Sequence, residues 1–145
     1  MLKFLKNKTI LIKYIILIGF ILISNNTYSQ YFIGKHKTEI IFYMKNNLKG
    51  FSLNTSTINS TFKYLKYENF ITQETILFFL NNKDTCTSVR WISDYSNINN
   101  RIEFLNKNYK KTSDTTWYYV ENNKKVNIIL KEEEWYFTIN FLPLK

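Results

Sequence analysis

The chain has 145 residues, the length of one domain, and its 20 Lys and Arg outnumber its 11 Asp and Glu for a formal charge of +9. Three Gly, one Pro and a hydrophobic content of 45% exclude disordered, collagen-like and linker proteins. The single Cys excludes an intrachain disulfide and a multi-cysteine zinc site, and the single His excludes most catalytic and metal-binding chemistry. We therefore expect a small basic domain without a cofactor.

The first 29 residues have the layout of a secretory signal peptide. Residues 1–14 contain four Lys and no acid, residues 15–24 form an apolar run, and residues 25–29 are polar. We expect cleavage after Ser29, which leaves a single domain over residues 30–145 in the periplasm or outside the cell. The Ser-Gln ending resembles signal peptides of Bacteroidota. An uncleaved inner-membrane anchor is the alternative, but a run of about ten apolar residues falls well short of the roughly 20 that span a bilayer.

The mature part opens with a predicted helix over about residues 37–49. Apolar residues recur at helical spacing between positions 40 and 48, and Gly50 stands where a C-terminal cap belongs. His36 with Glu39 three residues later forms the pattern of a capping box. The sequence therefore predicts both ends of this helix.

The rest of the mature chain reads as a loop, three strands, a second helix and three more strands. Residues 51–61 are rich in Ser, Thr and Asn and predict the loop. The predicted strands are 61–67, 75–80, 85–92, 115–120, 126–130 and 135–142. The second helix is capped by Ser93 or Asp94, and its apolar stripe consists of Ile98, Ile102, Leu105 and Tyr109.

The order αβββαβββ predicts a two-layer α+β domain, with an antiparallel sheet of about six strands covered by two helices. Short connections between consecutive strands require antiparallel pairing. The two halves also align at a constant offset of 61 residues, so that Ile41 and Leu48 match Ile102 and Tyr109. This alignment suggests an internal duplication.

The start of the first helix resembles that of a family of small exported proteins. Gly34, Glu39 and Ile40 match the opening Gly-x-Thr-x-x-Gln/Glu-Val of the β-lactamase-inhibitor-like group, which includes the SmpA/OmlA-type lipoproteins. The PepSY-like proteins of Bacteroidota are similar in the same way. His36 replaces the usual hydroxyl, no lipobox Cys is present, and each half has one predicted helix rather than two. The resemblance implies a non-enzymatic periplasmic or secreted binding domain.

The residues that could carry catalysis have structural explanations. His36 serves as a helix cap, and Cys86 lies in a strand next to Asp84, whose charge opposes thiolate formation. The run Glu132-Glu133-Glu134 predicts a solvated hairpin tip, because neighbouring strand residues point to opposite faces and cannot share one cation. Three isolated Gly cannot form a phosphate-binding loop. We therefore expect that the protein is not an enzyme.

Aromatic residues on the predicted strands suggest a binding surface. An open sheet has a second face, and large rings grouped there recognise a partner. The candidate partner-binding residues are Trp91, Trp117, Trp135, Tyr118, Tyr136 and Arg90. We expect an envelope or secreted protein partner, with glycan binding by the same face as one alternative and a small hydrolase as another. Nucleic acid is not expected, because the chain is exported and lacks an RNP-type motif, and no membrane span remains after cleavage.

Overall fold

The computed structural model describes residues 32–55 and 62–144. The predicted signal peptide and its cleavage point lie outside these residues, as do positions 56–61 of the predicted loop. The elements in chain order are α1 (Lys37–Asn47), β1 (Ser52–Asn54), β2 (Tyr64–Asn69), β3 (Glu74–Leu80), β4 (Cys86–Asp94), α2 (Ile98–Asn108), β5 (Lys110–Ser113), β6 (Thr116–Glu121), β7 (Lys124–Glu132) and β8 (Tyr136–Pro143). A short 3-10 turn, Tyr95–Asn97, leads into α2.

The strands form one eight-stranded antiparallel sheet in the order β1-β2-β3-β4-β8-β7-β6-β5. Each helix is followed by a meander of four consecutive strands. The last strands of the two meanders, β4 and β8, pair at the centre of the sheet, so β1 and β5 become its outer edges. Short connections within each meander account for the antiparallel pairing.

The predicted six-strand sheet covered by two helices is wrong. Residues 32–55 and 62–144 are mostly a single eight-stranded sheet, and the two helices among them are each only eleven residues long. The two additional strands are β1, with three residues, and β5, whose four residues are all exposed. Because both faces of these edge strands contact solvent, neither sequence shows the apolar alternation from which a strand is predicted. Over the described part of the chain, the order is αββββαββββ.

Helix α1 begins at the predicted capping box. The His36 ring accepts a hydrogen bond from the Thr38 N–H at 3.3 Å, and the Glu39 carboxylate accepts one from the His36 N–H at 3.1 Å. The helix ends at Asn47, two residues before the predicted end, because Leu48 already has a non-helical backbone. Gly50 then takes a φ of +91°, a conformation that favours glycine.

Alternation along the strands gives the sheet one buried face. Residues that point to this face pair with one another across five strands. One such row joins Phe78 to Val89, Phe141, Ile128 and Trp117. Apolar residues of both helices and of the segments flanking them pack on this face and complete the core. The strand residues that define the buried face are Tyr67, Ile76, Phe78, Val89, Trp91, Trp117, Tyr119, Ile128, Leu130, Phe137, Ile139 and Phe141.

A buried ion pair attaches α2 to the sheet. The carboxylate of Glu74, which is only 2% exposed, accepts hydrogen bonds from Arg101 Nε at 2.8 Å and Arg101 Nη2 at 2.7 Å. The hydroxyls of Ser93 and Thr72 donate to the same carboxylate at 3.2 and 2.8 Å. The Arg101 guanidinium also stacks on the Trp91 ring, 4.1 Å from its centroid. Every oxygen of this buried carboxylate is therefore satisfied, as a buried charge requires.

Candidate functional site

The second face of the sheet carries apolar side chains as well. We call it the open face, and it consists of the strand residues that alternate with those of the buried face. In one row across the sheet, Leu77 pairs with Arg90, Arg90 with Asn140, and Asn140 with Ile129. In the next row, Leu142 pairs with Asn127 and Asn127 with Tyr118. Residues of the open face include Leu77, Phe79, Arg90, Ile92, Tyr118, Ile129, Tyr136, Thr138, Asn140 and Leu142.

The open face is accessible over its centre and its β5 side. Ile129 is 37% exposed and Leu142 is 42% exposed, whereas Leu77, Phe79 and Ile92 are half-buried among their neighbours. Within the described ranges, the ring contacts from α2 and from the segments beside the helices to the sheet fall on the buried face. These contacts are Phe32–Phe78, Phe51–Trp91, Phe104–Trp91, Tyr95–Phe137 and Tyr109–Phe141.

Arg90 lies near the middle of the open face and keeps its charge available. Its Nε donates to Asn140 Oδ1 at 2.8 Å, and Asn140 Nδ2 donates in turn to Thr138 Oγ1 at 3.0 Å. Arg90 forms no ion pair with any residue that the structure describes. The hydrogen bond orients the guanidinium, so an incoming carboxylate would meet a positioned partner.

Tyr118 lies near the β5 edge of the open face between two lysines. Lys125 Nζ is 4.3 Å from the centroid of the Tyr118 ring, and Lys110 Nζ is 5.9 Å from it. Both distances fall within the range of a cation–π contact. The two ammonium groups therefore make this corner of the face aromatic and positively charged.

The structure brings three of the six predicted binding residues onto the open face and separates the other three. Arg90, Tyr118 and Tyr136 lie on it, and Tyr136 is 42% exposed. The three tryptophans lie elsewhere: Trp91 and Trp117 are buried in the core, and Trp135 is 75% exposed in the turn before β8. The Trp117 Nε1–H donates to Asn106 of α2 at 2.9 Å, which fixes that ring beneath the helix.

Five apolar residues of the open face are absent from the predicted binding residues. Leu77 and Phe79 belong to the continuous apolar run of β3, which the sequence analysis predicts as a strand without assigning its faces. Ile92, Ile129 and Leu142 are the corresponding residues of β4, β7 and β8. An unbroken apolar run in an antiparallel sheet is itself a usable signal, because it places apolar side chains on both faces.

The remaining candidate residues occupy structural positions. Burial raises the pKa of the Cys86 thiol to about 12, and this thiol donates to the Ser88 carbonyl at 3.4 Å. The thiol is thus protonated at neutral pH and is a poor nucleophile. Among the described residues, no three His, Cys, Asp or Glu side chains group closely enough to hold a metal ion. The open face is therefore the best-supported candidate site.

Comparison with protein-family models, with curated proteins and with solved structures finds no match to this chain. The resemblance to the β-lactamase-inhibitor-like group, carried by Gly34, Glu39 and Ile40, therefore stays a prediction. Neither helix in residues 32–55 and 62–144 is long and apolar enough to cross a bilayer.

Proposed function

We propose that this chain is an exported, non-enzymatic binding domain whose open face holds a protein partner in the cell envelope or the secreted fraction. The observation that carries the proposal is the apolar open face with Arg90 near its centre. Four aliphatic residues lie near Arg90 in the register of the sheet: Leu77 opposite it on β3, Ile92 two residues along β4, Leu142 on β8, and Ile129 on β7 beyond Asn140. Exposed apolar patches with Tyr and Arg anchors are typical of protein–protein interfaces.

The side-chain chemistry favours a protein over a glycan as the partner. Glycan sites stack sugar rings on flat aromatic faces, whereas the apolar residues Leu77, Ile92, Ile129 and Leu142 beside the Arg90–Asn140 pair are aliphatic. Aliphatic side chains gain most by packing against other apolar side chains. Export is supported by the signal-peptide pattern of residues 1–29. The experiment below therefore also distinguishes a protein partner from a glycan bound through Tyr118 and Tyr136.

A pull-down with matched variants tests the proposal. The tagged chain is incubated with envelope and culture-medium fractions of its source organism, as wild type, Ile129→Glu and Phe42→Glu. Ile129 lies on the open face, whereas Phe42 is an exposed residue of α1, at 69%, and serves as the control. A protein held by wild type and by Phe42→Glu should be lost with Ile129→Glu, because an unpaired charge would be buried at the interface.

Two results would contradict the proposal. One is a protein retained equally by all three forms, which would place the binding surface elsewhere. The other is that no protein is retained, while addition of envelope polysaccharide changes the intrinsic fluorescence of the wild-type chain and leaves that of Tyr118→Ala unchanged. That second result would favour the glycan alternative.

A further inference from the structure

A cavity of about 410 Å³ opens at the β5 edge of the sheet. We call it the edge notch. Its lining includes Lys107 and Asn108 from the end of α2, Lys110 from β5, and Tyr118 and Val120 from β6. The notch arises because β5 pairs with β6 only as far as Lys110 opposite Tyr118. Beyond that pair, β6 continues to Glu121 with β7 on one side and no described strand on its β5 side.

The phase of the ladder shows which backbone groups face the notch. The Leu130 N–H donates to the Thr115 carbonyl at 2.8 Å, so the adjacent pair of Thr116 and Ile129 does not exchange backbone hydrogen bonds. Alternation then directs the backbone of Tyr119 toward β7 and the N–H and C=O of Val120 away from it. Val120 therefore presents one donor and one acceptor to the notch, in the geometry that a further strand would use.

The charge around the notch is positive. Lys107, Lys110 and Lys125 form no ion pair with any described residue, and Lys110 and Lys125 both approach the Tyr118 ring. The nearest acid along β6, Glu121, alternates onto the buried face. Burial raises the pKa of its carboxyl, and the charge of Lys35 opposes that rise. Its cross-strand partner on β7 is Lys124.

We propose that the edge notch takes an extended acidic segment of the protein partner, which pairs with the Val120 backbone and places carboxylates beside Lys107 and Lys110. Strand addition supplies hydrogen bonds to any extended peptide, and the lysines supply the preference for acidic side chains. This inference rests on the proposed function, because it names the chemistry of the protein partner. It assigns the contact to the sheet edge, whereas the proposed function concerns the open face.

Fluorescence anisotropy with the purified full chain tests the edge notch. The probe is a short labelled peptide of alternating Glu and Thr, compared with one in which Gln replaces every Glu. Wild type should bind the Glu peptide at low salt, and the affinity should fall at high salt because screening weakens exposed charges. Lys107→Gln/Lys110→Gln should weaken binding roughly tenfold. The control Lys45→Gln/Lys49→Gln, with the same charge change on and after α1, should leave binding unchanged.

A backbone variant separates strand addition from simple charge attraction. Val120→Pro removes the N–H that faces the notch and no bond to β7, so the strand is retained. It should lower peptide affinity by about three- to tenfold, whereas Val120→Thr, which keeps the donor, should not. Thermal unfolding checks that each variant is folded. If Val120→Pro unfolds the domain, a Glu peptide with alternate backbone nitrogens methylated replaces it, because that peptide keeps its charges but cannot complete the hydrogen bonds of an added strand. Equal binding of the methylated and unmethylated peptides would then overturn the inference.

The outcomes of this experiment are distinct from those of the pull-down. The inference is overturned if the Gln peptide binds as well as the Glu peptide, if folded Val120→Pro binds normally, or if no binding occurs up to ~1 mM peptide. An acidic polysaccharide that binds wild type and Val120→Pro equally would also overturn it. Loss of the envelope partner with Ile129→Glu, combined with no peptide binding, would leave the proposed function standing and this inference refuted.

Discussion

Truncation of Glu74 should be one of the most destabilising single changes in the domain. Glu74→Ala leaves the Arg101 guanidinium without a counter-charge, although the Arg101 side chain, 23% exposed, keeps some access to water. We therefore take the low end of the cost of breaking a buried ion pair, ~3 kcal/mol. Ser93 and Thr72 each lose their acceptor, but Ser93 still accepts from Asn97 at 3.2 Å. These losses add ~1 kcal/mol.

The assay is urea unfolding followed by far-UV circular dichroism. Glu74→Ala should lower the free energy of unfolding by about 3–4 kcal/mol at an unchanged m value, which corresponds to a fall in Tm of roughly 10–15 °C. The same substitution at Glu103, an exposed position of α2, is the control and should change stability by less than ~0.5 kcal/mol.

A double variant separates the ion pair from simple loss of volume. Glu74→Leu combined with Arg101→Met should be more stable than Glu74→Leu alone, because no buried charge is left unpaired. A loss below ~1 kcal/mol in Glu74→Ala would refute the reasoning. It would mean that Arg101 hydrates freely once its partner is gone, and that the contact with the sheet is held by apolar packing alone.

Three further predictions concern single side chains. Lys37 and Lys63 lower the pKa of Asp84 from 3.8 to about 2, so Asp84→Asn should lower Tm at pH 7, and the difference from wild type should vanish as pH falls through about 2. A constant difference down to pH 2 would contradict this. The Cys86 thiol should not react with Ellman's reagent at pH 8 until urea unfolds the chain; rapid labelling of native protein would show that the thiol is accessible. Iodide should quench one component of the tryptophan fluorescence, and Trp135→Phe should abolish that component because the other two indoles are buried; residual quenching would contradict their burial.

Local chemistry made parts of the fold predictable. The helix start after His36 followed from the capping box. The turn after β3 has the composition typical of a turn, Asn81-Asn82-Lys83-Asp84, and Asp84 takes a positive φ there. The edge strands β1 and β5 were not predictable, because a strand of three or four residues with one apolar side chain, Leu53 in β1, or none, as in β5, has the composition of a loop. Hydrogen bonds to β2 fix the conformation of β1, and hydrogen bonds to β6 fix that of β5; both sets are tertiary contacts.

Alternation along a strand separates neighbouring residues onto two faces of the sheet, but it does not say which of the two faces is buried. Arg90 and Trp91 are neighbours on β4, as are Trp117 and Tyr118 on β6, so alternation sends the members of each pair to opposite faces. Both members could therefore never belong to one surface. For β4, the sequence alone decides which residue faces outward. Burying the Arg90 guanidinium would cost far more free energy than exposing the Trp91 indole, so Arg90 faces solvent.

The same reasoning does not settle β6, where Trp117 and Tyr118 are both aromatic. That choice follows from pairing: Trp117 lies opposite Ile128, and its Nε1–H reaches Asn106 of α2, whereas Tyr118 lies opposite Asn127 and beneath Lys125. Asn106 belongs to α2, so the indole at position 117 can reach it only from the face that packs against that helix. The identity of the open face thus depends on where α2 packs, which the alternation along β6 alone does not encode.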